Sequence, residues 1–191
     1  MQIQCIINSM FQPTEIIFAS TTACNLHCEH CFVNRIPQHL SIESAKAFIL
    51  SCKNAPDSQI DRIGFSGGEP FLYFDFLLEL TKFTVSQDLM FDQIMTNGDW
   101  WQTEQDLNQK LTDLYNAGYD GKIGLSWDTF HNQNPERMQT FISAVQNIFG
   151  TDSINIQTVI PYENTQGGGS LPLARTSLLA TPSSGESLNQ K

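Results

Sequence analysis

Short β-forming apolar runs alternate along this 191-residue chain with segments of helical period, and that alternation restricts the fold more than any other feature of the sequence. Residues 15–20 (EIIFAS), 62–66 (RIGFS), 91–96 (FDQIMT), 122–126 (KIGLS) and 153–160 (SINIQTVI) are too short for helices and carry the branched and aromatic residues that strands favour. Five strands are therefore expected. From the second onward their starts lie about 30 residues apart, the length of one strand plus one crossover helix. Strand and helix in strict turn imply a parallel sheet covered by helices, open or curled toward a barrel. In such folds the functional residues gather at the carboxyl ends of the strands.

The intervening helices carry start and stop signals. Ser41 can cap a helix whose apolar stripe is Ile42, Ala45, Ile49 and Cys52. Thr103 with Asp106 forms a capping pattern ahead of Leu107, Leu111 and Leu114, and Gly118 stands where a left-handed stop is expected. Asn134 and Pro135 open a further helix with Phe141, Val145 and Ile148 inward and Gly150 at its end. Residues 71–83 (FLYFDFLLELTKF) are apolar nearly throughout and are read as a buried helix. Residues 1–160 thus form one core domain. Beyond it, QGGGS at 166–170 has a linker's composition, so residues 161–191 are expected as a flexible low-complexity tail, with 171–180 able to form a short helix on docking.

Composition narrows the function. Twenty acidic against ten basic side chains give a net charge of −10, which argues against nucleic-acid partners and acidic membrane surfaces, since both need clustered Lys and Arg. No apolar run approaches the ~20 residues of a membrane helix. The first eleven residues lack the basic and apolar regions of a secretory signal, so a cytoplasmic location is expected. Five cysteines are an odd number, and three fall within eight residues, which suits metal or redox chemistry better than a disulfide framework.

Those three are Cys24, Cys28 and Cys31, in CNLHCEHC, in the loop after the first expected strand. Crowded thiolates favour a soft metal, and three ligands are one fewer than a closed tetrahedral site requires. An iron-sulfur cube held by three cysteines would keep one iron free for an external chelating group. Zinc with His27, His30 or His39 as fourth ligand, or a set of reduced thiols, stays open on the cysteines alone.

Around these residues the chain resembles the radical S-adenosylmethionine superfamily, whose hallmark is a C-x3-C-x-aromatic-C loop around a 4Fe-4S cluster. The likeness extends over roughly residues 14–160. SGGEP at 66–70, after the second strand, is similar to the family segment that binds the methionine amino group, which implies that Gly67, Gly68 and Glu69 hold the cofactor. Ser126 and Asp128, in LSWDTFH at the end of the fourth strand, fall where the family binds ribose or carboxylate. His30 precedes the third cysteine, where the family's aromatic residue lies near the adenine. TNG at 96–98 ends the third strand and serves a turn at least as readily as a site; Trp100 and Trp101 are read as packing residues.

The resemblance implies a partial (β/α) barrel, with five of the usual six strands in view. It also implies an enzyme that cleaves S-adenosylmethionine reductively to a 5′-deoxyadenosyl radical, drawing on an electron donor such as flavodoxin or ferredoxin. Its substrate, a peptide, a protein or a small molecule, is not written in the sequence. The alternatives are a truncated or inactive module that binds cluster and cofactor without turnover, and a zinc-stabilised interaction domain.

Overall fold

The computed structural model of the chain describes residues 12–28, 31–34, 36–160 and 175–179. All five expected strands form, as β1 (Glu15–Ala19), β2 (Arg62–Ser66), β3 (Met90–Thr96), β4 (Lys122–Ser126) and β5 (Ile154–Ile160). They lie side by side in chain order, each parallel to the one before. One crossover helix between successive strands advances the sheet by a single position each time, which is the arrangement of a partial (β/α) barrel.

The helices begin where their caps predict. The Ser41 side chain accepts from the Ser44 amide at the start of α1 (Ile42–Lys53), Thr103 accepts from the Asp106 amide ahead of α3 (Glu104–Asn116), and Asn134 accepts from the amides of Glu136 and Arg137 at α4 (Pro135–Phe149). Gly118 and Gly150 follow α3 and α4 with φ of +96° and +99°, as left-handed stops require. The helix expected over 71–83 starts three residues later, as α2 (Phe74–Ser86). Pro70 first directs the chain into a 3-10 turn, Pro70–Tyr73, capped by the Glu69 side chain.

Register explains the core. Phe18, Phe65, Ile94, Ile123 and Ile154 are paired in sequence across all five strands, so the pleat turns them to one face as a continuous apolar row. The helices cover that face. Phe76 of α2 meets both Phe18 and Phe65 edge-on, at ring separations of 6.1 and 6.4 Å, and Ile49, Leu80, Leu111 and Phe141 are fully buried above the row. Trp100 and Trp101 are packing residues here. Trp100 stacks on Phe71 at 4.3 Å, and Trp101 donates its ring N–H to the Gly98 carbonyl. Cys52 packs half-buried against the core, as its place on the α1 stripe predicts; Cys5 lies outside the described residues.

The sheet carries one strand that the sequence did not announce. Arg175–Leu179, here β6, pairs antiparallel with β5. The expected docking helix over 171–180 therefore does not form at those five residues. A strand at the end of a sheet can pair through main-chain groups alone, without the side-chain period that marks a core strand. Being antiparallel, β6 is not a sixth strand-helix unit. No helix among the described residues is long and apolar enough to cross a membrane.

Ile94 is fully buried at the middle of the apolar row. Ile94→Ala should lower the unfolding free energy by about 2–5 kcal/mol, read from the denaturation midpoint at unchanged slope.

Candidate functional site

Three carboxyl ends of parallel strands and the cysteine loop meet at one edge of the sheet. The loop is held there by backbone. Ser20 donates to the Ser66 carbonyl at 3.1 Å, Gly68 donates to Thr21 at 2.6 Å, and Glu69 donates to Ala23 at 2.7 Å. Thr22 and Leu40 close the base of the loop by donating to Gln38 and Ser20. The chain after β1 thereby runs beside SGGEP as an irregular continuation of the sheet.

This contact gives the two glycines a reason that sequence alone did not supply. A side chain at residue 68 would overlap the Ala23 carbonyl, and Gly67 has φ of +136°, a conformation that residues with a side chain rarely adopt. The glycines let two stretches of backbone lie against each other, and they leave their own edge facing the cavity.

Glu69 is fully buried. Its carboxylate accepts from the Phe71 amide at 3.1 Å, the Thr96 hydroxyl at 2.8 Å and the Asn97 amide at 2.7 Å. Loss of water raises its pKa from 4.5 to about 7, and these three donors oppose the rise. The carboxylate expected to meet an external amine is thus directed into the protein, where it ties the end of β2 to the end of β3.

Cys24, Cys28 and Cys31 border a cavity of about 250 Å3 together with Gly67, Gly68 and Ser126. Cys24 accepts from the Leu26 amide at 3.4 Å and from the Asn97 side-chain amide at 3.7 Å, while burial pushes its thiol pKa up. Among the described residues no three His, Cys, Asp or Glu side chains converge tightly enough to hold a single metal ion. A cluster asks for a wider spacing, because each thiolate holds a different iron. Three cysteines on the wall of one open cavity fit that donor set. The ring of His39 packs on Tyr73 at 4.6 Å.

The remaining expected residues separate. Ser126 lines the cavity, and its carbonyl accepts from Gln133 at 2.8 Å. Asp128 turns aside, accepting from the Phe130 amide at 2.9 Å and pairing with His131 Nδ1 at 2.7 Å. His131 itself reaches the cavity wall. His30 lies outside the described residues. Sequence reasoning set aside Asn97 as turn chemistry, yet Asn97 and Met95 both line the cavity. The signal available was position, since TNG closes a parallel strand as SGGEP does.

A model of the radical SAM superfamily matches residues 18–156, well over half of the chain. The chain belongs to the radical SAM superfamily. It is 29% identical over 151 residues to a GTP 3′,8-cyclase of Chlorobaculum tepidum, covering 73% of this chain and 42% of that protein. It is 30% identical over 145 residues to the S-adenosylmethionine-dependent nucleotide dehydratase RSAD2 of Oncorhynchus mykiss, covering 72% and 38%. This radical SAM chain therefore spans about two fifths of the length of these relatives. Its fold is also that of anSMEcpe solved with bound AdoMet (TM-score 0.54, 19% identity, 74% of this chain and 43% of that one). The same protein with AdoMet and the Cp18Cys peptide gives a TM-score of 0.52 at 22% identity, covering 74% and 41%.

Because Glu69 holds its proton more tightly when folded than when unfolded, its contribution to stability is full below pH 4.5 and is lost as the pH rises through 7. Glu69→Gln should therefore cost about 1–3 kcal/mol at pH 5 and less at pH 8, measured as the difference from the unmodified chain in denaturant melts. A deficit that grew with pH would mean that the three donors outweigh burial.

Proposed function

We propose that this chain is the catalytic core of a radical SAM enzyme, with Cys24, Cys28 and Cys31 as the ligands of a 4Fe-4S cluster and S-adenosylmethionine beside it. The observation that carries the reading is that the three cysteines, Gly67, Gly68 and Ser126, drawn from three segments far apart in sequence, border one cavity. Once bound, cluster and cofactor supply the reductive cleavage of the sulfonium to a 5′-deoxyadenosyl radical that abstracts hydrogen from substrate.

The chain's own residues bind and orient. The edge of Gly67 and Gly68 receives the cofactor's amine, with Glu69 fixing that edge from beneath rather than through a free oxygen. Ser126 offers its hydroxyl to the ribose or carboxylate. Asp128 acts one step back, by setting His131 at the wall. His30, before the third cysteine, is assigned to the adenine. Met95 supplies an apolar flank that helps keep water from the reacting centre.

Electrons come from a flavodoxin or ferredoxin in this reading, and the substrate is a peptide or protein. The solved neighbour holding a peptide supports that choice. So does the net charge of −10, which disfavours a nucleotide triphosphate unless a cation accompanies it. The curated relatives named for nucleotide chemistry make nucleotides the competing arm of any substrate screen. A second reading, a module that binds cluster and cofactor without turnover, is favoured by one observation. Among the described residues the sheet has five parallel strands, one fewer than the resemblance implies.

Anaerobic reconstitution with iron and sulfide, followed by dithionite and S-adenosylmethionine, should yield 5′-deoxyadenosine by chromatography. Visible absorption with no 5′-deoxyadenosine would favour the binding module, and no visible absorption at all would sink both readings. Cys28→Ala should abolish cluster and turnover together. Cys52→Ala should leave both intact and cost roughly 1 kcal/mol of packing.

A further inference from the structure

Asn97 uses every polar group it has. Its backbone amide donates to Glu69 Oε2 at 2.7 Å, and its carbonyl accepts from Gln133 Nε2 at 2.5 Å. Its side-chain oxygen accepts from the Asp99 amide at 2.8 Å. Its side-chain nitrogen donates to Asn25 Oδ1 at 3.0 Å and to Cys24 Sγ at 3.7 Å. A side-chain amide can often be turned end for end without penalty, but not this one. The Asp99 N–H can only donate, so Oδ1 of Asn97 must face it. The Asp99 carbonyl can only accept, and it takes Asn25 Nδ2 at 3.0 Å, so Asn25 must turn its oxygen toward Asn97. Two backbone groups of one residue fix both amides, and the fixed arrangement aims an N–H at sulfur.

Asn97 is 7% exposed, so the donor works away from bulk water, where an N–H···S contact is stronger. We infer that Asn97 is a positioning and tuning residue for Cys24, holding its sulfur toward the cavity and making a cluster bound there easier to reduce. The inference rests on the reading of Cys24 as a cluster ligand. Adding one electron increases the negative charge on the cluster sulfurs, and a donor to one of them stabilises that reduced form more than the oxidised form. The couple is one electron in, supplied by dithionite in the test.

The experiment is a dithionite titration of the reconstituted chain, followed by electron paramagnetic resonance. In Asn97→Ala the ratio of reduced to oxidised cluster at a fixed potential should fall about tenfold, equivalent to a midpoint lower by about 59 mV for a one-electron couple. Asn25→Ala keeps the donor and removes only its neighbour, so its ratio of reduced to oxidised cluster should change less than threefold. A loaded Asn97→Ala protein with an unshifted midpoint overturns the inference, as does an equal shift in Asn25→Ala. Should Asn97→Ala take up no cluster, circular dichroism of the apo-protein decides: a retained fold supports the positioning of Cys24, and an unfolded chain assigns Asn97 to the core and overturns it. An unmodified chain that takes up no iron and sulfide would instead overturn the reading of the site itself, and this inference with it.

Discussion

The Glu69 carboxylate is the constraint on which the site depends. It is a fully buried acidic group with no cation against it among the described residues, and three neutral donors take the place of one. Removing a carboxylate from water costs several kcal/mol unless such partners replace the solvent. Here the partners belong to different elements. The Phe71 amide opens the turn into α2, while Thr96 and Asn97 end β3. The Glu69 backbone in turn holds Ala23 of the cysteine loop. Thus one side chain fixes the relative positions of SGGEP, TNG and the loop that presents Cys24. Neither burial nor hydrogen bonding alone describes it, since the two oppose each other and settle with the group near neutrality in pKa.

Most of the architecture was legible because it depends on local chemistry. The five strand positions follow from short apolar runs, and three helix starts follow from Ser41, Thr103 and Asn134, whose side chains cap as expected. Three things were not legible. The late start of α2 required knowing that Glu69 turns its carboxylate back over Pro70–Tyr73. β6 depends on main-chain pairing at the end of the sheet, which leaves no mark in side-chain order. At the site, the cysteines, SGGEP and Ser126 could be named from their places after strands, but the direction of a side chain could not. Asp128 curls back to its own loop and Glu69 points inward. Asn97 reaches the thiolate loop across 73 positions of sequence. Such facts belong to tertiary geometry, to which a one-dimensional pattern is blind.

The loop around Asn97 is fastened on its outer side as well. Arg137, in the first turn of α4, pairs with Asp99 at 2.5 Å, donates to the Trp101 carbonyl at 2.7 Å and lies 3.6 Å over the Trp101 ring. Gln133 joins the carbonyls of Asn97 and Ser126 beneath it. The ends of β3 and β4 are therefore bound to each other and to α4, so the cavity wall on that side is a rigid piece rather than a set of independent loops.

The face of the sheet turned away from the helices has a different composition from the apolar row. Ile17 pairs with Gly64, and Met95 with Gly124, which pairs in turn with Asn155. At Gly124 the room a side chain would need is taken by Met95 and Gln93, at 2.6 and 2.8 Å from where its Cβ would stand. The glycine thus buys space for its neighbours, whose flexible ends lie across it like slats over a gap. Since Met95 also borders the cysteine cavity, a side chain at residue 124 would have to displace the thioether that forms part of the cavity's flank, so the shape of that flank depends on the bareness of a glycine in the neighbouring strand.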